Sequence, residues 1–242
     1  MKVAILITGH LRTWELCRSE LLNFLNGCEY DIYFHTYETL KGYHPYLEKV
    51  YNVTDNSRKS DDILDLVKIR LKTLVIENED VVIDEIKEIE DKNYSGFQWQ
   101  EYGPYDDLQI VRGKGISIRT YSQYRKFREC FKLCTGNYDW VLRIRPDIDW
   151  TMRNDTTLLS ILNQLERNDN IVWTLPTGMQ PSDVLFLSTP KALETLLDGM
   201  KEISFPTNRE YNPHEFLAYS ANLKNITLKC LVQIPQVGLK RM

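Results

Sequence analysis

Two stretches of this chain leave almost no polar face. Val3-Ala-Ile-Leu-Ile7 is apolar at every position, and Tyr138-Asp-Trp-Val-Leu-Arg-Ile144 is interrupted only by Asp139 and Arg143. A strand with one wet face alternates apolar and polar residues. A strand apolar on both faces must be covered on both, which is the situation of a central strand in a mostly parallel sheet with helices on either side. At 242 residues the chain suits one domain of the larger single-core kind, big enough to bury such a sheet.

The remaining segments alternate in the way that reading requires. Leu16, Leu21, Leu22 and Leu25 suit one face of a helix ending near Asn26-Gly27, and Asp31–Thr36 reads as a second strand, so the chain opens with a strand–helix–strand unit. Residues 37–60 read as loop. Ile63, Leu64, Val67, Leu71 and Leu74 have helical spacing over 61–74, Val81-Val-Ile83 reads as a strand, and 85–115 shows no period. Tyr124, Phe127, Phe131 and Cys134 mark a helix over 119–135, with Arg119, Arg125, Lys126 and Arg128 on its other faces, the three arginines most simply solvated. A helix over 158–165 capped by Asp155, a strand over 170–175, a loop over 176–182, a strand over 183–188, a helix from Pro190, a helix entered through Asn212–Glu215 and a last strand over 226–234 complete the expected order. The fold class is therefore α/β, a single domain with a central, mostly parallel sheet flanked by helices.

Charge and cysteine usage narrow the function classes. A net charge of −4 lacks the basic excess of a general nucleic-acid binder. Five cysteines, an odd number without C-x-x-C spacing, read as free thiols in a reducing, cytoplasmic setting. No run of eighteen apolar residues occurs, so no transmembrane segment is expected.

The second apolar stretch ends in chemistry. Pro146 stops its hydrogen bonding and stiffens the turn after it, and Asp147 and Asp149 stand one residue apart. Two carboxylates on one turn offer hard oxygens to a hard divalent cation, Mn2+ or Mg2+; two solvent-facing turn aspartates are the plain alternative. Three functions compete for the pair. In sugar transfer from a nucleotide sugar, a metal held there neutralises the leaving diphosphate. In a haloacid-dehalogenase-like phosphatase, the pattern Asp147-x-Asp149-x-Thr151 would supply a nucleophile, but that pair closes the first strand of such enzymes and not one past mid-chain. A non-catalytic carbohydrate-binding domain would use the five Trp and fourteen Tyr against sugar faces, although aromatics in this number serve equally as core and rim. The G-x-G-x-x-G pattern of a dinucleotide site is absent. At the exit of the second strand, His35 stands equally for ligand contact and for a structural hydrogen bond.

Taken together, Val3–Trp14, Asp31–Thr36 and Tyr138–Asp149 resemble small GT-A-type glycosyltransferases of large algal viruses (chloroviruses) and of bacterial polysaccharide clusters. The resemblance implies a GT-A-like nucleotide-diphospho-sugar transferase fold, with 1–135 as the nucleotide-binding half and 136–242 as the metal and acceptor half. It implies a UDP- or GDP-sugar donor, a glycan acceptor and, for a viral protein, the host cytoplasm. Carried over position by position, it assigns donor binding to Thr8, Gly9, His10 and Arg12 and metal binding to Asp147 and Asp149, with Asp147 also close to the donor. His214 is the late histidine that some members add to the metal. Asp183 matches the carboxylate that takes the acceptor proton in inverting members, and Arg145 would hold a phosphate or a carboxylate. Arg143 and Arg145 depart from the apolar approach usual before such a motif.

Overall fold

The computed structural model describes residues 1–9, 11, 14–38, 70–78, 115–116, 118–146, 148–149, 156–177, 180–201, 210–211, 213–231 and 238–239. The main sheet contains β1 (Lys2–Thr8), β2 (Glu29–Tyr37), β3 (Leu71–Glu77), β5 (Trp140–Ile144), β7 (Ile171–Thr177), β8 (Gln180–Ser188) and β10 (Thr227–Cys230). Its seven strands stand in the order β10-β7-β8-β5-β1-β2-β3. β8 is antiparallel to both β5 and β7, and the other neighbouring pairs are parallel. The architecture is thus the α/β fold with a mixed, mostly parallel sheet that the two apolar stretches demand. β1 and β5, the two strands without a wet face, are neighbours near its centre, with Ile5 opposite Leu142 and Ile7 opposite Ile144.

Strand alternation divides the core into two layers. Val3, Ile5, Ile7, Phe34, Leu142 and Leu187 face one side, under α1 (Trp14–Phe24) and the short α3 (Leu158–Leu162); α2 is Ile118–Lys132. Ala4, Leu6, Val141 and Phe186 face the other side, covered by α2, α4 (Pro190–Lys201) and α5 (Pro213–Leu223). Two-residue ladders join β4 (Gly115–Ile116) to β9 (Glu210–Tyr211) and β6 (Ile148–Asp149) to β11 (Gly238–Leu239).

The N-terminal ends of the central strands are pinned by a polar network. Asp31 accepts from the Tyr138 hydroxyl at 2.8 Å and pairs with Lys2 Nζ at 2.9 Å, while Tyr138 and Tyr33 share a 2.7 Å hydroxyl contact. Burial first, then these two hydroxyl and carboxylate neighbours, push the Tyr138 phenol well above its ordinary range, so it stays a donor. Tyr138 stabilises that end of the sheet.

Four expectations change. Residues 71–74, expected at the end of a helix, begin strand β3; Leu74-Val-Ile76 is β-branched enough to pair with β2, and that pairing overrides the helical spacing. The expected loop over 176–182 is a hairpin whose ladder runs on to Thr177 opposite Gln180. α3 is capped by Thr157, whose side chain and that of Ser160 form a reciprocal capping box, and not by Asp155, which lies outside the described residues. Lys126, expected off the apolar face of its helix, is 1% exposed. The strand expected over 81–83 also lies outside the described residues.

The α4–α5 contact depends on Gly199. A Cβ there would come within 2.6 Å of the Ser220 carbonyl oxygen and 2.9 Å of Lys224 Cγ. Gly→Ala inside a helix ordinarily gains about 1 kcal/mol from backbone entropy. Here Gly199→Ala is expected to lose about 1–3 kcal/mol, because overpacking forces the two helices apart. Urea unfolding, read at unchanged m-value, checks this, and a stabilised variant would refute it.

Candidate functional site

The site grows from the exit of β1. Its last residue, Thr8, is buried, and its Oγ1 accepts a 3.0 Å hydrogen bond from Arg143 Nε. Gly9 comes next with φ of +127°, a conformation that L side chains rarely adopt. Its N–H donates to the His35 carbonyl at 3.2 Å, and its own carbonyl accepts from Thr36 Oγ1 at 2.9 Å. A Cβ on Gly9 would lie 3.5 Å from Pro146 Cδ, an ordinary contact, so the backbone conformation, and not space, requires the glycine. The exit of β1 therefore lies beside the proline that introduces the acidic pair.

β5 delivers that proline. Beyond Ile144 the ladder to β8 continues, with the Arg145 N–H donating to the Val184 carbonyl at 3.3 Å. β8 runs antiparallel to β5. Asp183, one residue before Val184, thus belongs to the strand segment alongside the Arg145-Pro146 turn. Past the turn, Ile148 is fully buried in the layer under α1, and β6 pairs antiparallel with β11, Asp149 opposite Gly238. The return of the chain to Asp149 through β11 has no counterpart in the expected order of elements.

Arg143 is 1% exposed. Its guanidinium carbon sits 5.2 Å from the Phe127 ring centroid and 5.5 Å from that of Phe186. Cation–π attraction offsets part of the desolvation of such a charge, about 2 kcal/mol for a desolvated pair. The arginine that interrupts the apolar strand thus points under α2 and gives a hydrogen bond to Thr8. Arg145 is half-buried.

Beside Gly9 lies a second cluster that the sequence reading did not single out. Glu77, the last residue of β3, places Oε2 2.7 Å from Lys126 Nζ and Oε1 3.1 Å from His35 Nε2, with Arg125 Nη1 at 3.7 Å. Lys126 also donates to the Thr36 carbonyl at 3.3 Å and lies 3.7 Å from the Tyr37 ring centroid. His35 is 2% exposed, and neither ring nitrogen makes an aligned hydrogen bond, so the 3.1 Å approach to Glu77 is an electrostatic contact off the N–H direction. Burial, the largest influence on His35, lowers its pKa and keeps the imidazole neutral, against the opposing carboxylate. Burial by itself would raise the Glu77 carboxyl; the His35 and Lys126 contacts together outweigh it and bring the group down to about 2. The ammonium, fully charged and well placed, is the stronger partner on geometry. The signal available in the sequence was Glu77 closing a β-branched run, hidden once 61–74 was read as helix.

The other expected site residues divide by where they fall. Thr8, Gly9, His35, Arg145 and the backbone of Asp183 come to one end of the sheet. His10, Arg12 and Asp147 lie outside the described residues, and of Asp149 only the backbone is described. Among the described residues, no group of three His, Cys, Asp or Glu side chains is placed to hold a metal. His214 stands in the first turn of α5, whose core residues face the layer opposite Ile148. The five cysteines are free thiols, as expected. No described helix is long and apolar enough to cross a membrane.

No family model and no curated protein matches the chain. Among solved structures it is similar to the glycosyltransferase GlyE of Streptococcus pneumoniae TIGR4, at 12% identity over 96% of this chain and 46% of that one, with a TM-score of 0.42. It is similar to the galactosyltransferase LgtC in complex with donor and acceptor sugar analogues, at 10% identity over 95% and 73% with a TM-score of 0.44. Mouse xyloside xylosyltransferase 1 aligns at 8% identity over 96% and 85% with a TM-score of 0.47. The chain spans less than half of the GlyE chain. Superpositions this loose carry no argument about the site, which rests on the chain's own residues.

The cluster has a pH signature. Neutral His35 contributes stability that is full above its unfolded pKa, about 6.5, and declines as pH falls below it. Ionised Glu77 contributes stability that is full above 4.5 and declines as pH falls toward about 2. Unfolding free energy should therefore fall in two stages on acidification. In Glu77→Gln the second stage should flatten by up to one proton, about 1.4 kcal/mol per pH unit. Denaturant midpoints measured from pH 7 to pH 3 in both proteins test it, and identical acid limbs would show that Glu77 is not held by these partners.

Proposed function

We propose that the protein is a glycosyltransferase that moves a sugar from a UDP- or GDP-sugar to a glycan acceptor, with Mn2+ or Mg2+ at the acidic pair. The observation that supports it best is the meeting of the Thr8-Gly9 exit with Pro146 at one end of the sheet. A nucleotide diphosphate needs two things close together: backbone that a ligand can approach and hard oxygens for its cation. Gly9 offers the first, and the chemistry of the Asp147/Asp149 donor set fits the second. Ile148, between the two in sequence, is fully buried and fixes the backbone of the short strand Ile148–Asp149 next to the Pro146 turn. A divalent ion bound there would supply charge neutralisation of the leaving diphosphate.

The chain's own residues carry the remaining roles. Thr8 and Gly9, held by Arg143, His35 and Thr36, form the floor for the nucleoside, with His10 and Arg12 following in sequence. Arg145 offers positive charge beside the acidic pair. Asp183 takes the proton from the acceptor hydroxyl as that oxygen attacks the anomeric carbon of the donor, if the reaction inverts. His214 is the candidate for an additional metal ligand. The phosphatase alternative would need its aspartate pair at the exit of β1, where Thr8-Gly9 stand instead.

Two variants test the reading. UDP or GDP with Mn2+ should raise the unfolding midpoint of the wild type by mass action. Asp149→Ala should abolish the part of that rise that needs metal, together with transfer; metal-independent binding and full transfer in the variant would reject the assignment. Asp183→Asn should lower turnover by about a hundredfold or more with donor affinity little changed, as expected for loss of a general base, and unchanged turnover would remove Asp183 from that role.

A further inference from the structure

We infer that Glu77 is a positioning residue for the nucleotide end of the site, acting through His35 and Thr36 on the Gly9 turn. This rests on the transferase reading given above and extends it to a residue that neither the motif nor the resemblance includes.

A continuous path of short contacts leads from Glu77 to Gly9. Glu77 reaches Lys126 Nζ at 2.7 Å and His35 Nε2 at 3.1 Å. Lys126 in turn donates to the Thr36 carbonyl at 3.3 Å. Glu77 thereby meets the His35 side chain directly, in an off-axis electrostatic contact, and the Thr36 backbone through Lys126. The same dipeptide holds both polar groups of Gly9, the N–H by the His35 carbonyl and the carbonyl by Thr36 Oγ1. Gly9, at φ +127°, packs toward Pro146, one residue before the acidic pair.

The energetic shape of the cluster separates positioning from plain stability. Lys126 and His35 are 1% and 2% exposed, and Thr36 is fully buried. Glu77 keeps 21% of its side chain exposed while Lys126 is buried, and an ion pair that gives up hydration in this way adds little net stability. Its effect is geometric: it is satisfied in one arrangement only, and that arrangement defines where His35 and Thr36 present their bonds to Gly9. The unaligned ring nitrogens of His35 fit the same picture. The ring is placed by burial and by the carboxylate's field, and its backbone carbonyl carries the contact that matters for the turn.

The test uses the whole chain, with UDP and GDP as probes in the presence of Mn2+, calorimetric Kd at pH 7.5 as one readout and the nucleotide-free unfolding midpoint as the other. Glu77→Gln keeps size and loses charge. It is expected to raise Kd for the nucleotide that the wild type binds by about tenfold, with Glu77→Asp in between, and to lower the nucleotide-free midpoint as well. Thr36→Val, nearly isosteric, removes the bond to Gly9 by another route and should also raise Kd, by about fivefold. Because both act through Gly9, the double variant should be less than additive. A lowered midpoint with Kd within twofold of wild type in both single variants would make Glu77 a stability residue only and overturn the inference. If Glu77→Gln does not fold, an unchanged Kd in Thr36→Val overturns it alone. Failure of the transferase reading looks different: the wild type itself then binds neither nucleotide, and the inference falls with it.

Discussion

The parallel pairing of β1 with β5 is the constraint on which the rest of the molecule depends. The two strands are far apart in sequence, Thr8 and Arg143 being 135 residues apart, yet their register sets Ile7 against Ile144 and brings their exits to the same edge. A two-residue slip along either strand would keep every apolar side chain in its layer, so hydrophobic burial alone does not choose the register. The polar contacts at the two ends do. Arg143 meets Thr8 at one end. At the other, the Lys2 N–H donates to Asp139 at 2.8 Å and Tyr138 reaches Asp31. Two apolar strands without wet faces are thus aligned by the few polar groups they carry.

That arrangement is costly at the upper end of the sheet, where Arg143 on β5, His35 on β2 and Lys126 on α2 are all buried. Charges withdrawn from water are retained only where geometry offsets the desolvation. Arg143 is compensated by two phenylalanine rings and a hydroxyl, and Lys126 by a carboxylate, a carbonyl and a tyrosine ring. The lower end combines the buried Asp31, Tyr33 and Tyr138 with the more exposed cations Lys2 and Lys72. Buried polar groups tolerate little displacement, since breaking any of their bonds leaves a partner unsatisfied. The end that carries Gly9 and Pro146 differs in that whole cations, Arg143 and Lys126, are buried there.

The fold was legible wherever side-chain period and burial agreed. Val3–Ile7 and the strand ending at Ile144 have one reading only, and Pro190 with Ala192, Leu193, Leu196 and Leu197 marks α4 unambiguously. Legibility failed where a short apolar run fits two periods. Leu71 and Leu74 satisfy helical spacing with Ile63, Leu64 and Val67, and only the pairing of β3 with β2 decides for strand. That single misreading hid Glu77, since a carboxylate assigned to a connection gives no reason to be matched with His35. Lys126 was hidden differently. On a helix rich in cations, nothing local distinguishes the one that faces a carboxylate on another element. β11 is two residues long, Gly238 and Leu239, with no period to detect.

The candidate site itself was legible as a set of residues and not as an arrangement. Thr8, Gly9, Pro146 and Asp183 each carry a local signal: a glycine after a buried strand, a proline before paired carboxylates, an aspartate entering a strand. Their meeting is a property of strand order. β5 lies between β1 and β8, so its exit is flanked by the exit of one and the entrance of the other. β8 brings its N-terminal end to that edge because it alone runs against its neighbours in the main sheet. With β8 parallel, Ser188 would stand beside the acidic turn and Asp183 near its far end. The single reversed strand is thus what gives the backbone of an acidic residue from late in the chain a place beside Pro146.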